Sequence, residues 1–305
     1  MEIVTILIKQ VFIMFVLMAI GFVAYRKQIL SNQGTKDIGK LLLNVAIPMI
    51  VISNFCVEKS AEKTAELFES ALLSFLCMAL SVAFAYLAYH KKDRIAEFSA
   101  AFSNAGFIGI PLVQAIFGSG AVFYISVMIV LINVLQWTYG VYTITDDKSV
   151  MDFKKIMKNP LILSVGIGIV IYFLNIRLPK IAMDIISSIS AINTPLAMIV
   201  SGVYLAQSDL LNAMRKKDAW LLSLSRLIVI PLIVMLVFRF LPFGSNAMKL
   251  SILLAGACPV GSNVAVFAQQ YDKDYRKGVE FVCVSTLLSI LALPLVIFVA
   301  NLLFK

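Results

Sequence analysis

The chain has 305 residues, of which 61% are hydrophobic and only 14% charged, with a formal net charge of +9. A soluble domain carries nearer a quarter of charged residues, so this composition excludes an ordinary water-soluble fold and describes an all-α polytopic membrane protein. The positive surplus sits in short loops between apolar runs, which is a topology signal and not a nucleic-acid surface.

Apolar runs bounded by charges predict ten spans: about Ile3–Tyr25, Asp37–Cys56, Leu67–Tyr89, Ile95–Phe117, Ala121–Thr143, Pro160–Ile176, Ile181–Ala206, Ala219–Leu241, Ala247–Gln270 and Val279–Leu303. The first lacks a basic leader and a small-residue cleavage site and reads as a retained helix. The loops after spans 1, 3, 5, 7 and 9 hold about 17 Lys and Arg, the other face about 7. The bias puts both termini outside the cytoplasm of a bacterial cell membrane. His90 falls in one of the basic loops and reads as solvated. The four cysteines, Cys56, Cys77, Cys258 and Cys283, have no metal-ligand spacing and suggest no disulfide framework. Neither a metal nor a cofactor is expected.

Two spans are interrupted. Span 4 carries Ser103-Asn104 followed by Gly109 and Pro111; span 9 carries Pro259-Val-Gly261-Ser262-Asn263. Proline has no amide hydrogen and its ring clashes with the preceding turn. A helix broken at membrane depth needs protein or a water-filled cavity to satisfy its backbone, so a cavity at the midplane is expected. Pro111 and Pro259 are 148 positions apart, Pro48 and Pro195 are 147 apart, and Asn44 and Asn193 are 149 apart. The common offset argues for two five-span repeats, residues 1–145 and 160–305, joined by a cytoplasmic linker at 146–159. An odd number of spans per repeat inverts one half against the other, and paired interrupted helices in two such halves point to a transporter site.

If Pro111 and Pro259 each begin a second half-helix, the two N-termini aim amides and positive dipole ends into the midplane. The opposite ends expose carbonyls, which could hold a cation. Asn104 and Asn263 are the leading candidates for substrate contact, then Ser103, Ser262, Gln114 and Gln269, each with backbone or helix–helix hydrogen bonding as the alternative. Asn44, Pro48, Asn193 and Pro195 read as kinks in supporting helices. Arg226, the one charge well inside a span, could pair with a substrate carboxylate or snorkel to the nearby surface. Carboxylates such as Glu97 lie near span ends, so a carboxylate-lined proton relay is not evident.

Asn104-Ala-Gly-Phe-Ile-Gly-Ile-Pro-Leu112 resembles the span-4 crossover motif of the auxin efflux carrier family. Cys258-Pro-Val-Gly-Ser-Asn-Val-Ala-Val-Phe-Ala-Gln-Gln-Tyr271 resembles its span-9 counterpart, and the resemblance covers essentially the whole chain. The short loop after span 5 is unlike the long loop of many plant members and is similar to the bacterial branch of malate and malonate permeases. The resemblance implies a scaffold of spans 1, 2, 6 and 7, with a homodimer contact through spans 2 and 7. It also implies a transport domain of spans 3–5 and 8–10, with crossed broken helices 4 and 9, that moves as an elevator. Asn104 matches the family's substrate-facing asparagine. Nothing here reads out an indole ring.

The expected function is therefore a secondary transporter of a small organic anion, driven by gradients or membrane potential, with sodium or proton coupling open. The alternatives are a sodium-coupled organic-anion symporter of the bile-acid transporter type and a receptor or sensor without transport. An enzyme is not expected.

Overall fold

A computed structural model describes residues 2–147, 149 and 157–304. Within the expected linker 146–159, Lys148, Lys154 and Lys155 lie outside the described residues. The described residues form helices joined by turns and loops, with one isolated backbone bridge between Ser103 and Val260.

Seven helices are long and apolar enough to cross a membrane: α1 (Glu2–Arg26), α2 (Asn32–Phe55), α3 (Ala61–Tyr89), α6 (Ser119–Thr145), α8 (Lys180–Gln207), α10 (Lys217–Phe240) and α13 (Tyr275–Leu303). Shorter apolar helices are α5 (Ala105–Phe117), α7 (Pro160–Phe173) and α11 (Asn246–Ala257). The set is completed by α4 (Arg94–Ala101), α9 (Leu210–Arg215) and α12 (Asn263–Gln270). Starts are set by side-chain caps: Ser31, Ser60, Asp93, Ser245 and Asp274 each accept an amide hydrogen from the first turn that follows.

The prolines inside apolar helices leave a consistent mark. A proline removes one backbone hydrogen bond and crowds the preceding turn. In three helices the wider π-helical spacing takes up the misfit just before an Ile-Pro pair: Leu42–Ala46 before Pro48, Ala105–Gly109 before Pro111, and Ser225–Val229 before Pro231. A fourth π segment, Gln136–Gly140 in α6, has no proline behind it.

The most extensive helix pair is α1 on α8. It closes to backbone contact: a Cβ on Gly21 would strike the Ile199 carbonyl oxygen, and one on Gly202 that of Met18. Small residues at a crossing allow this approach in lipid, where packing drives association. The second part of α2 packs on α7, α3 lies against α4 and α6, and α13 against α10 and α12. Large apolar side chains face outward along α1, α3, α7 and α13, among them Phe12, Phe75, Val170 and Leu291, which suits a lipid-facing surface.

Charged groups gather at the two ends. At one end Lys277 meets Asp93 at 2.5 Å and Asp218 at 3.8 Å, Arg94 meets Asp146 at 2.7 Å, and Lys216 meets Glu280 at 2.6 Å. At the other, Arg177 pairs with Glu58 at 2.9 Å and Tyr172 shares a hydrogen bond with Thr64 at 2.9 Å. Beside that pair, Phe123 stacks edge-on to Phe55 at 5.3 Å and lies 6.1 Å from Tyr172.

Candidate functional site

Two helix breaks meet. After α4 the chain turns extended at Phe102 (φ −116°, ψ 118°), and after α11 it does so at Cys258 (φ −55°, ψ 153°). The two extended stretches run antiparallel. Asn104 N–H donates to Pro259 O at 2.8 Å and Gly261 N–H to Phe102 O at 3.1 Å, so each break satisfies the other's backbone. Ser285 Oγ on α13 accepts from the Val260 amide at 3.1 Å. Gly261 eases this approach, since a Cβ there would sit a tight 3.3 Å from Ser103 O. The offset differs from the sequence expectation: Ser103 opposes Val260, while Pro111 lies well inside α5. Pro259 is in its break, but Pro111 does not start the second half-helix; Ala105 does. Gly109 instead lets α5 approach α11, with Ala255 Cα 3.4 Å from where its Cβ would be.

Both first half-helices end at the crossing with carbonyls exposed, a site of partial negative charge. Arg226, 1% exposed, answers it. It donates from Nη1 to Ala100 O at 2.9 Å, from Nε to Cys258 O at 3.2 Å, and from Nη2 to Gly256 O. The guanidinium fork suits several acceptors in fixed directions. Arg226 therefore neither snorkels nor faces the cavity; it binds the ends of α4 and α11 together.

The second half-helices begin on the other side of the crossing, around a cavity of about 50 Å³. That is room for one or two waters at about 30 Å³ each. The crossing contributes Ser103, Asn104, Gly261, Ser262 and Asn263, together with the first turn of α5, Ala105 to Phe107. The first amides of a helix have no acceptor within it, so this turn offers donors. α2 adds Leu43 and Ile47, α7 adds Leu161, and α6 adds Asn133 and Gln136. Asn263 Nδ2 donates to Gln136 Oε1 at 2.8 Å. Ser103 Oγ is buried without a hydrogen-bond partner. Among the described residues, none that lines the cavity is charged.

Gln114 and Gln269 do not line it; Gln269 is exposed at the end of α12. Asn44 donates back to Lys40 O at 2.7 Å, within the π segment that precedes Pro48. Asn193 starts the second part of α8, two residues before Pro195, and is fully buried with neither side-chain polar atom paired. Asn133 and Gln136 were not anticipated: a polar residue within a long apolar span carries no positional mark of which side it faces.

Nor was a buried acid. Glu97 is 1% exposed on α4. Tyr139 donates to its Oε1 at 2.5 Å, and His90 Nδ1 lies 3.2 Å from its Oε2. His90 is thus not a solvated loop residue: it stacks on Tyr86 at 4.2 Å and closes over the carboxylate.

With this geometry in hand, the relatives are informative. The family described as membrane transport protein matches residues 6–297. A protein of Methanothermobacter thermautotrophicus described as an uncharacterized transporter is 25% identical over 298 residues, covering 92% of this chain and 94% of its own. The uncharacterized transporter YfdV of Escherichia coli K12 is 20% identical over 308 residues, covering 94% of this chain and 95% of its own. A match over nearly the whole chain decides the matter: the chain belongs to the membrane transport protein family, that of the auxin efflux carriers.

Proposed function

We propose that the chain is a secondary transporter that carries a small organic anion, such as a carboxylate, across a bacterial cytoplasmic membrane. The observation that carries this reading is the antiparallel crossing of two broken helices. Their amide-bearing starts and neutral donors line a cavity with no acid to repel an anion. Asn104, Ser103, Ser262 and Asn263 are the proposed ligands.

The architecture proposed for transport is ten spans in two inverted repeats, 1–145 and 160–305, each with one broken helix. The crosswise pairing of α1 with α8 and α2 with α7 supports the scaffold half of that reading. The remaining helices form the moving half, which slides as an elevator. The end rich in Lys and Arg faces the cytoplasm, with both termini on the opposite side. In this reading the cavity, which Leu43 and Leu161 line beside the crossing, lies between moving half and scaffold, and the Phe55, Phe123 and Tyr172 rings would seal the extracytoplasmic end. A homodimer through α2 and α8 would cover Ile181 and Ile185, both exposed on α8. The sodium-symporter reading loses ground to Arg226, which already occupies the carbonyl ends a sodium ion would use.

The test is charge movement in liposomes holding the purified protein, on addition of malate, malonate, oxalate or an indole carboxylate, with and without a sodium gradient, beside Asn104→Ala. A sodium-independent current lost in the variant is the expected result. A strict sodium requirement would favour the symporter. Saturable binding with neither current nor tracer flux would leave a receptor and overturn transport.

A further inference from the structure

We propose that Glu97, held by His90 and Tyr139, is a proton-binding site coupled to the central cavity through the π-helical segment Gln136–Gly140. The proposal rests on the transporter reading above and assigns the coupling ion to a place outside the anion site.

A carboxylate taken out of water is costly unless it is paired and hydrogen-bonded. Glu97 is nearly fully buried, yet its one ion-pair partner among the described residues is His90, itself able to lose its charge. The permanent cations nearby form their bonds elsewhere. Arg94, on the same helix, bonds Asp146 and Thr143 O and acts on Glu97 only through space. From α13, Lys277 binds Asp93 and Asp218, and Glu280 is taken by Lys216. From α3 the site meets Tyr86 and His90, and from α6 Tyr139, with Tyr142 close to Arg94. From α12 Phe267 packs 5.7 Å from Phe98.

Glu97 keeps a hydrogen-bond partner in either protonation state. With Glu97 ionised, His90 Nδ1–H and Tyr139 O–H both donate to it. With Glu97 protonated, its own O–H can donate to a neutral Nδ1 along the same 3.2 Å line. His90 retains 29% of its side-chain surface, so it connects the site to water at the charged end. The step is proton transfer alone. A proton from water binds His90 Nε2, the Nδ1–H bond breaks as an O–H bond forms on Glu97 Oε2, and release reverses the path.

Coupling requires an element that both sites bias, and one π segment touches both. Its first residue, Gln136, holds Asn263 at the cavity wall at 2.8 Å; three residues on, Tyr139 holds Glu97 at 2.5 Å. Gly140 in the same segment lies so close to α4 that a Cβ would strike the Phe98 ring. Single π turns are frequent at functional sites. Protonating Glu97 replaces a charge-assisted hydrogen bond with a weaker neutral one. That loosens Tyr139 and, with it, the turn that positions Gln136. By linkage, an anion that displaces Gln136 from Asn263 alters proton affinity at Glu97 by the same factor.

Two readouts on the full-length protein separate this proposal from the transporter reading. In pH-difference infrared spectroscopy, a carboxyl signal that titrates in the wild type is expected to vanish in Glu97→Gln. In liposomes, a pH gradient is expected to accelerate entry of labelled malate, malonate or oxalate severalfold. In Glu97→Gln the ratio of flux with and without the gradient should fall to one. An infrared difference spectrum identical in wild type and Glu97→Gln, or gradient stimulation retained in Glu97→Gln, overturns the proton site. Absence of flux for every probe in the wild type instead removes the transporter reading for these anions, and the infrared arm still decides whether Glu97 takes a proton.

Discussion

Gln136 accepts a hydrogen bond from Asn263 at 2.8 Å across 127 positions of chain, and this contact ties α6 to the first residue of α12 at the cavity wall. Gln136→Leu leaves the Asn263 amide without its partner in a half-buried place. A lost partner of this kind costs about 1–3 kcal/mol. A lower thermal midpoint in detergent is expected, together with slower anion flux. An unchanged midpoint would mean that the pair contributes nothing to stability.

Arg226 joins three carbonyls, and hydrogen bonds to a charged group are worth about 1.5–3 kcal/mol each. Arg226→Met is expected to abolish most folded protein in size-exclusion profiles. Arg226→Lys should fall between it and the wild type, because one ammonium cannot reach in all the directions of the guanidinium fork. Were Arg226 an anion ligand instead, Arg226→Lys would fold normally and lose only substrate affinity.

The α1–α8 crossing has no room for a side chain at Gly21 or Gly202. Gly202→Ala forces two backbones apart, and overpacking costs about 1–3 kcal/mol. The melting temperature should drop with Ala and the protein should fail to accumulate with Leu. Gly166, with open space around its position, should accept Ala with little change and serves as the control.

At the opposite end from the cationic loops, Tyr172→Phe removes a hydroxyl that bonds Thr64 and the Ser60 carbonyl at 2.9 and 3.2 Å. The ring contacts remain, so the expected loss is about 0.5–1.5 kcal/mol. Phe123→Ala removes the ring between Phe55 and Tyr172 and should cost about 3–5 kcal/mol. Thermal unfolding of the two variants would rank them, and the reverse order would contradict the seal.

The helices were legible because charged and capping residues such as Ser60, Asp93 and Asp274 mark where apolar runs meet water. The breaks were legible too, since Asn104 and Pro259 to Asn263 interrupt runs otherwise fit for continuous helix. What Pro111 does was not. Its misfit is absorbed by a π segment upstream, so the residue that looks like a break lies within a helix. Arg226 was ambiguous because its acceptors, Ala100 and Gly256, become neighbours only when two helix ends converge. The burial of Glu97 was not legible for a related reason. One turn inside a span a carboxylate can reach water or be covered, and the choice is made by His90 and Tyr139 arriving from other helices.

The crossing also bears on how the chain is made. The carbonyl of Phe102 waits for the amide of Gly261, and that of Ala100 waits for Arg226, which follows it by 126 positions. At roughly 5–20 residues per second of synthesis, the first broken helix must persist for on the order of ten seconds before its complement leaves the ribosome. During that interval its loose backbone has to be sheltered by the insertion machinery or held short of full burial in lipid. The first half of this protein is consequently an unfinished object in the membrane, completed only by the second.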